Sequence, residues 1–181
     1  CFFGKTHDAG VMALTNSEDS FQQSIAEFER QTGSLGLSSS SVLALWQREE
    51  YQQADVVHLH VTTAEFFSWL LLPSIAAKPL IWTIYDAQPY TGGCYHTVMC
   101  GKWKQNQCRD CSFVSAERKR NQEELYLLKK ALYEMTPMAV VTPNAWVSGQ
   151  VKESIMAPRF MSEIPVAVDP LFFRRANKQE I

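Results

Sequence analysis

Pro79-Leu80-Ile81-Trp82-Thr83-Ile84-Tyr85-Asp86 carries the strongest structural signal in the chain. A proline opens it, an apolar and β-branched run follows, and a carboxylate ends it abruptly. That pattern describes a strand buried on both faces that delivers a polar group to the rim of a sheet. On either side of it, Val56-Val57-His58-Leu59-His60-Val61 reads as a second buried strand, Met138-Ala139-Val140-Val141-Thr142 as a third, and Ile164-Pro165-Val166 as a short last one.

Helical patterns separate the strands. Residues 17–31 carry Ser17 as a cap and Phe21, Ile25 and Phe28 at helical spacing. The serine run before residue 42 caps a second helix, running to about Gln53, and a short helix over 64–72 stops at Pro73. Residues 116–135 form the clearest helix, with Leu125, Leu128, Leu132 and Met135 on one face and Glu123, Glu124, Lys129 and Lys130 mostly off it. Asn144 caps a helix to about Ile155. Strands alternating with helices predict an α/β domain, a Rossmann-like layered and mainly parallel sheet interrupted by an irregular cysteine-rich loop over 87–115.

The chain has 181 residues and a formal charge of −2, so it suits one domain and offers no global attraction to nucleic acid or anionic membrane. The longest apolar run, Phe66 to Leu72, is too short to span a bilayer. Cys1 stands in place of an initiating Met, which suggests an internal piece of a longer protein. Lys102, Lys104, Arg109, Arg118, Lys119 and Arg120 make one local basic neighbourhood, offset by Asp110 and Glu117.

Ligands of parallel sheets bind beyond the carboxyl ends of the strands. The rule points to His60 and Thr62, to Tyr85 and Asp86, and to Thr142 and Asn144. Asn144 also reads as a plain helix cap, Asp86 as a turn residue, and His58 as a hydrogen-bonded core histidine. Gly92 and Gly93 allow either close backbone approach to a ligand or a positive-φ turn.

Four of the five cysteines fall between positions 94 and 111, spaced C-x5-C-x7-C-x2-C: Cys94, Cys100, Cys108 and Cys111. So tight a cluster in a cysteine-poor chain fits a structural zinc site in a reducing, cytoplasmic compartment better than a disulfide framework. Free thiols, disulfides and an iron–sulfur cluster are the alternatives, and His96 is a substitute ligand.

Trp82-Thr83-Ile84-Tyr85-Asp86-Ala87-Gln88-Pro89-Tyr90-Thr91-Gly92-Gly93-Cys94-Tyr95-His96, followed by Cys100, Lys102-Trp103 and Cys108-Arg109-Asp110-Cys111, resembles a branch of the family 4 glycosyltransferases of bacterial polysaccharide and lipopolysaccharide assembly. Ala54-Asp55-Val56-Val57-His58-Leu59-His60, Thr142-Pro143-Asn144-Ala145-Trp146 and Ile164-Pro165-Val166-Ala167-Val168-Asp169, with Phe172 or Phe173 beyond, are similar to other segments of that family, in consistent order. The resemblance implies the amino-terminal, acceptor-side domain of a two-domain GT-B enzyme over residues 1–173, lacking its first strand and glycine-rich loop. Residues 174–181 would begin the interdomain linker. It further implies a nucleotide sugar as donor, held mainly by a missing carboxy-terminal domain, and retention of anomeric configuration. The acceptor would be a sugar or lipid-linked sugar, handled in the cytoplasm, with the inner face of the membrane as a peripheral contact.

Tyr85 and Asp86 are then the catalytic candidates, with His60, Gly92, Gly93 and Asn144 lining the cleft. Tyr85 stands where the family carries histidine, a departure that alters basicity and hydrogen bonding near the sugar. Two readings from other classes compete. One is a zinc-ribbon-like nucleic-acid-binding module using the basic residues beside Trp103; the other is a non-catalytic interaction domain derived from the enzyme.

Overall fold

The computed structural model describes residues 20–32, 37, 41–62, 67–114, 116–156 and 158–168. The Ser17 cap, residues 64–66 of the short helix, Asp169, Phe172, Phe173 and the linker at 174–181 lie outside the described residues, as do the side chains of Arg118, Lys119 and Arg120.

Four strands form one sheet: β1 (Val57–Leu59), β2 (Leu80–Thr83), β3 (Ala139–Thr142) and β4 (Phe160–Glu163). Their order is β1-β2-β3-β4, and every pairing is parallel. Trp82 of β2 lies beside Leu59 on one side and Val140 on the other, so β2 sits inside the sheet. The helices are α1 (Ser20–Thr32), α2 (Glu49–Gln53), α3 (Leu72–Ile75), α4 (Lys102–Gln105), α5 (Ala116–Glu134) and α6 (Ala145–Lys152). Short 3-10 turns cover Ser41–Gln47, Trp69–Leu71 and Gln88–Tyr90. Parallel strands joined through helical crossovers make this an α/β, Rossmann-like arrangement.

The core forms where α5 crosses β2. Trp82 meets Tyr133 edge-on at 6.0 Å between ring centroids and leans on Trp69 at 5.5 Å. Leu72, Ile75, Ile84 and Val140 close around them. Large aromatic side chains dominate such contacts because each buries a wide apolar surface.

Several elements differ from the sequence reading. The buried face of α5 runs through Gln122, Leu125, Tyr126, Lys129, Leu132 and Tyr133, while Met135 is exposed. The stripe is therefore rotated from the predicted Leu125, Leu128, Leu132 and Met135 face and takes a lysine into the interior. Pro73 lies in the first turn of α3 and does not end a helix, since its missing N–H is no loss there. Phe21 and Phe28 of α1 are exposed, and Glu29 is turned inward. β1 is shorter than expected and only half-covered, with Val56 and Val61 exposed at its ends. The last strand is Phe160–Glu163, not 164–166: Ile164 N–H still donates to Thr142 O at 2.9 Å, but Pro165 has no N–H to continue the ladder.

Two glycines separate packing from propensity. A Cβ on Gly92 would stand 2.3 Å from the backbone oxygen of Gln122 in α5, whereas one on Gly149 in α6 would meet nothing within 4 Å. Gly92→Ala should cost ~1–3 kcal/mol through forced displacement of the loop from α5, and Gly149→Ala should gain up to ~1 kcal/mol of helix propensity. Urea denaturation of the two variants checks both signs.

Candidate functional site

The carboxyl ends of β1 and β2 bring the first group of predicted residues together. His60 Nδ1 lies 3.1 Å from the Tyr85 hydroxyl, and the two rings stack at 6.0 Å. One step back, His58 Nε2 lies 2.8 Å from Thr83 Oγ1, and its ring sits 4.0 Å from that of His60. The pairing register explains this: His58 aligns with Ile81 and Leu59 with Trp82, so residues two apart on β1 follow residues two apart on β2. His58 is not a core histidine as the sequence suggested, because β1 is the sheet's edge among the described residues. Burial and then the neighbouring His60 hold its pKa below the usual imidazole value, so it is the neutral ring that pairs with Thr83. Val61, directly after His60, has φ 21°, a costly backbone for a β-branched residue.

Asp86 follows Tyr85 at the strand end. Its Oδ1 accepts from Gln88 N–H at 2.8 Å, which starts the 3-10 turn at Gln88–Tyr90. Asp86 is therefore a turn-former, and also half-buried. Burial raises its pKa, against the opposing pull of the Gln88 N–H, Lys129 and His96. Tyr90, buried and near Asp86, is pushed up to about 12.

Lys129 is the residue that sequence reasoning missed. Its ammonium donates to Gln88 O at 2.7 Å and Thr91 O at 3.1 Å, the two ends of that turn, and lies 4.5 Å from the Trp69 ring centroid. Tyr133 Oη donates to Pro89 O at 2.5 Å from the same helix face. Burial pushes the Lys129 pKa down to about 7, while Cys108, Asp86 and Cys94 pull it upward. The signal available in the sequence was spacing: Lys129 stands in register with Leu125, Tyr126, Leu132 and Tyr133.

Cys94, Cys100, Cys108 and Cys111 all line one small cavity, together with Thr91 and Gln122. All four are free thiols. Cys108 and Cys111 are buried, and Cys94 and Cys100 are partly exposed. Left-handed backbone at Gln107, Cys108 and Asp110 turns the CxxC segment back on itself. Gly92 N–H donates to Cys108 Sγ at 3.2 Å. Burial pushes the Cys94 and Cys108 thiols up to about 11, and the neighbouring sulfurs push the same way. Among the described residues, no group of three or more His, Cys, Asp or Glu side chains stands in a metal-holding arrangement.

The remaining candidates take structural roles. Gly92 is buried against the α5 backbone, whereas a Cβ on Gly93 would meet only the tip of the Gln122 side chain at 2.9 Å, so packing on the helix accounts for Gly92. Asn144 Oδ1 accepts from Val147 N–H at 3.0 Å and caps α6. Within the basic neighbourhood, the three described side chains have partners: Lys104 pairs with Glu153 at 2.5 Å, Arg109 with Glu123 at 2.6 Å, and Lys102 donates to the Asp110 carbonyl. Trp103 is buried against Tyr90, with no face open for base stacking. No helix among the described residues is long and apolar enough to cross a membrane.

Scans of protein-family models, curated proteins and solved structures give no match to this chain.

The Asp86 environment has a pH consequence. The folded state holds the Asp86 proton to higher pH than the unfolded chain, whose carboxyl titrates near 3.8, so stability contributed by this group falls as pH rises through that window. Asp86→Asn keeps the oxygen that accepts from Gln88 and removes the buried charge. Its urea midpoint should exceed that of the parent near neutral pH and vary less between about pH 4 and about pH 7. Equal slopes in the two proteins would refute the assignment.

Proposed function

We propose that this chain is the acceptor-binding half of a nucleotide-sugar-dependent retaining glycosyltransferase of surface polysaccharide synthesis, completed by a donor-binding domain. The observation that carries the reading lies beyond the carboxyl ends of β1 and β2, where His60 pairs with Tyr85 and Asp86 follows directly in the chain. The family resemblance of the segment from Trp82 to Cys111 supplies the reaction class.

Within that reading, Tyr85 takes the position of the family's histidine, and the His60–Tyr85 hydrogen bond restores an imidazole behind the hydroxyl. The Tyr85 hydroxyl and the Asp86 carboxyl orient a sugar hydroxyl, and the departing nucleotide diphosphate helps take up its proton. The protein contributes positioning and a fixed electrostatic environment. The nucleic-acid alternative loses support because Lys104 and Arg109 are ion-paired and Trp103 is buried.

Titration of the isotopically labelled chain with a water-soluble glycosyl-diphosphate lipid analogue should shift the amide signals of His60, Tyr85 and Asp86. Tyr85→Phe should weaken binding roughly 2- to 10-fold, the worth of one hydrogen bond. The chain by itself should transfer no sugar from a nucleotide donor. Perturbation confined to residues far from the strand ends, or steeply salt-dependent binding of single-stranded DNA, would sink the reading.

A further inference from the structure

We infer that the cavity among Cys94, Cys100, Cys108 and Cys111 is a site for one soft divalent cation of the zinc type, with the buried Lys129 as its counter-charge. This stands independently of the acceptor-domain reading, and its test uses no acceptor.

Three observations converge. First, four sulfurs from a single irregular stretch line one cavity, a donor set that selects soft cations over magnesium or calcium. Second, the loop already supplies groups that suit thiolate: Gly92 N–H points at Cys108 Sγ at 3.2 Å, and Lys129 is enclosed beneath the turn that carries Thr91. Third, Cys108 and Cys111 are buried, whereas Cys100 and Cys94, which already lies against Cys111, are partly exposed, so the two outer side chains can rotate about the buried pair. Since the sulfurs are not yet at ligating positions, the cation draws them inward on binding.

The chemistry balances without oxidation. Four S–H bonds lose their protons to solvent, four metal–sulfur bonds form, and the centre carries two negative charges, one of which the Lys129 ammonium offsets. A closed tetrahedral set leaves no open coordination position, so the cation pins the loop and performs no catalysis.

The test is titration of the reduced, chelator-treated chain with cobalt(II). About one cobalt per chain should bind, with intense sulfur-to-metal charge-transfer absorption and the visible bands of tetrahedral geometry, and zinc should displace it. Cys100→Ser should lose that spectrum, while Cys1→Ser should keep it. Lys129→Met should bind cobalt ~10–100-fold more weakly at unchanged stoichiometry. If Lys129→Met or Cys100→Ser fails to fold, the spectrum of the unaltered chain and its proton release still decide the matter. No charge-transfer band in that chain, an equal band in Cys100→Ser, a Cys94–Cys111 disulfide that resists the reductant, or iron with acid-labile sulfide would each overturn the proposal.

Discussion

The Lys129 ammonium, enclosed between Gln88 O, Thr91 O and the Trp69 ring, is the constraint on which the site depends. A buried cation is costly unless its donors are satisfied, so α5 and the turn after β2 are held in one relative position. That position fixes Asp86 at one end of the turn and Gly92 against Gln122 at the other. The strand-end cluster and the cysteine cavity are thus two ends of one short segment, both referred to a single helix.

The burial of Lys129 also gives the interior its polarity. Asp86, Cys94 and Cys108 are the ionisable groups that act on it, and all three are themselves driven towards their neutral forms by burial. Any process that makes one of them anionic is favoured by the nearby cation, and any process that neutralises the cation leaves them less inclined to ionise. The loop therefore behaves as one electrostatic unit and not as a set of separate side chains.

Much of the architecture was legible in the sequence because strands buried on both faces announce themselves. Leu80–Thr83 and Ala139–Thr142 fall inside the apolar runs that predicted them. The Asn144 cap followed from residue type and position alone. Lys129 was illegible by polarity, since a lysine that packs against Trp69 and one that trails in solvent are the same letter; only its register with Tyr126 and Tyr133 tells them apart. β4 was misplaced because Phe160–Glu163 is an exposed strand without an apolar signature, whereas the apolar run beyond it contains a proline. For the site, Tyr85, Asp86 and His60 were found by the strand-end rule, but His58 and Thr83 needed the pairing register, which no local pattern contains. The glycine pair signalled a close approach, and it is the tertiary fold that sets the α5 backbone against Gly92.

The sheet's strand order follows the chain, yet its connections are far from equal. β1 reaches β2, and β3 reaches β4, through short crossovers, whereas the path from Thr83 to Ala139 carries the whole cysteine loop and α5. Joining the two halves of the sheet therefore closes the longest loop and bears the largest entropic cost of assembly. The contacts that offset it are those α5 makes with the turn after β2, so the helix that shapes the site is also the splint across which the two strand pairs become one sheet.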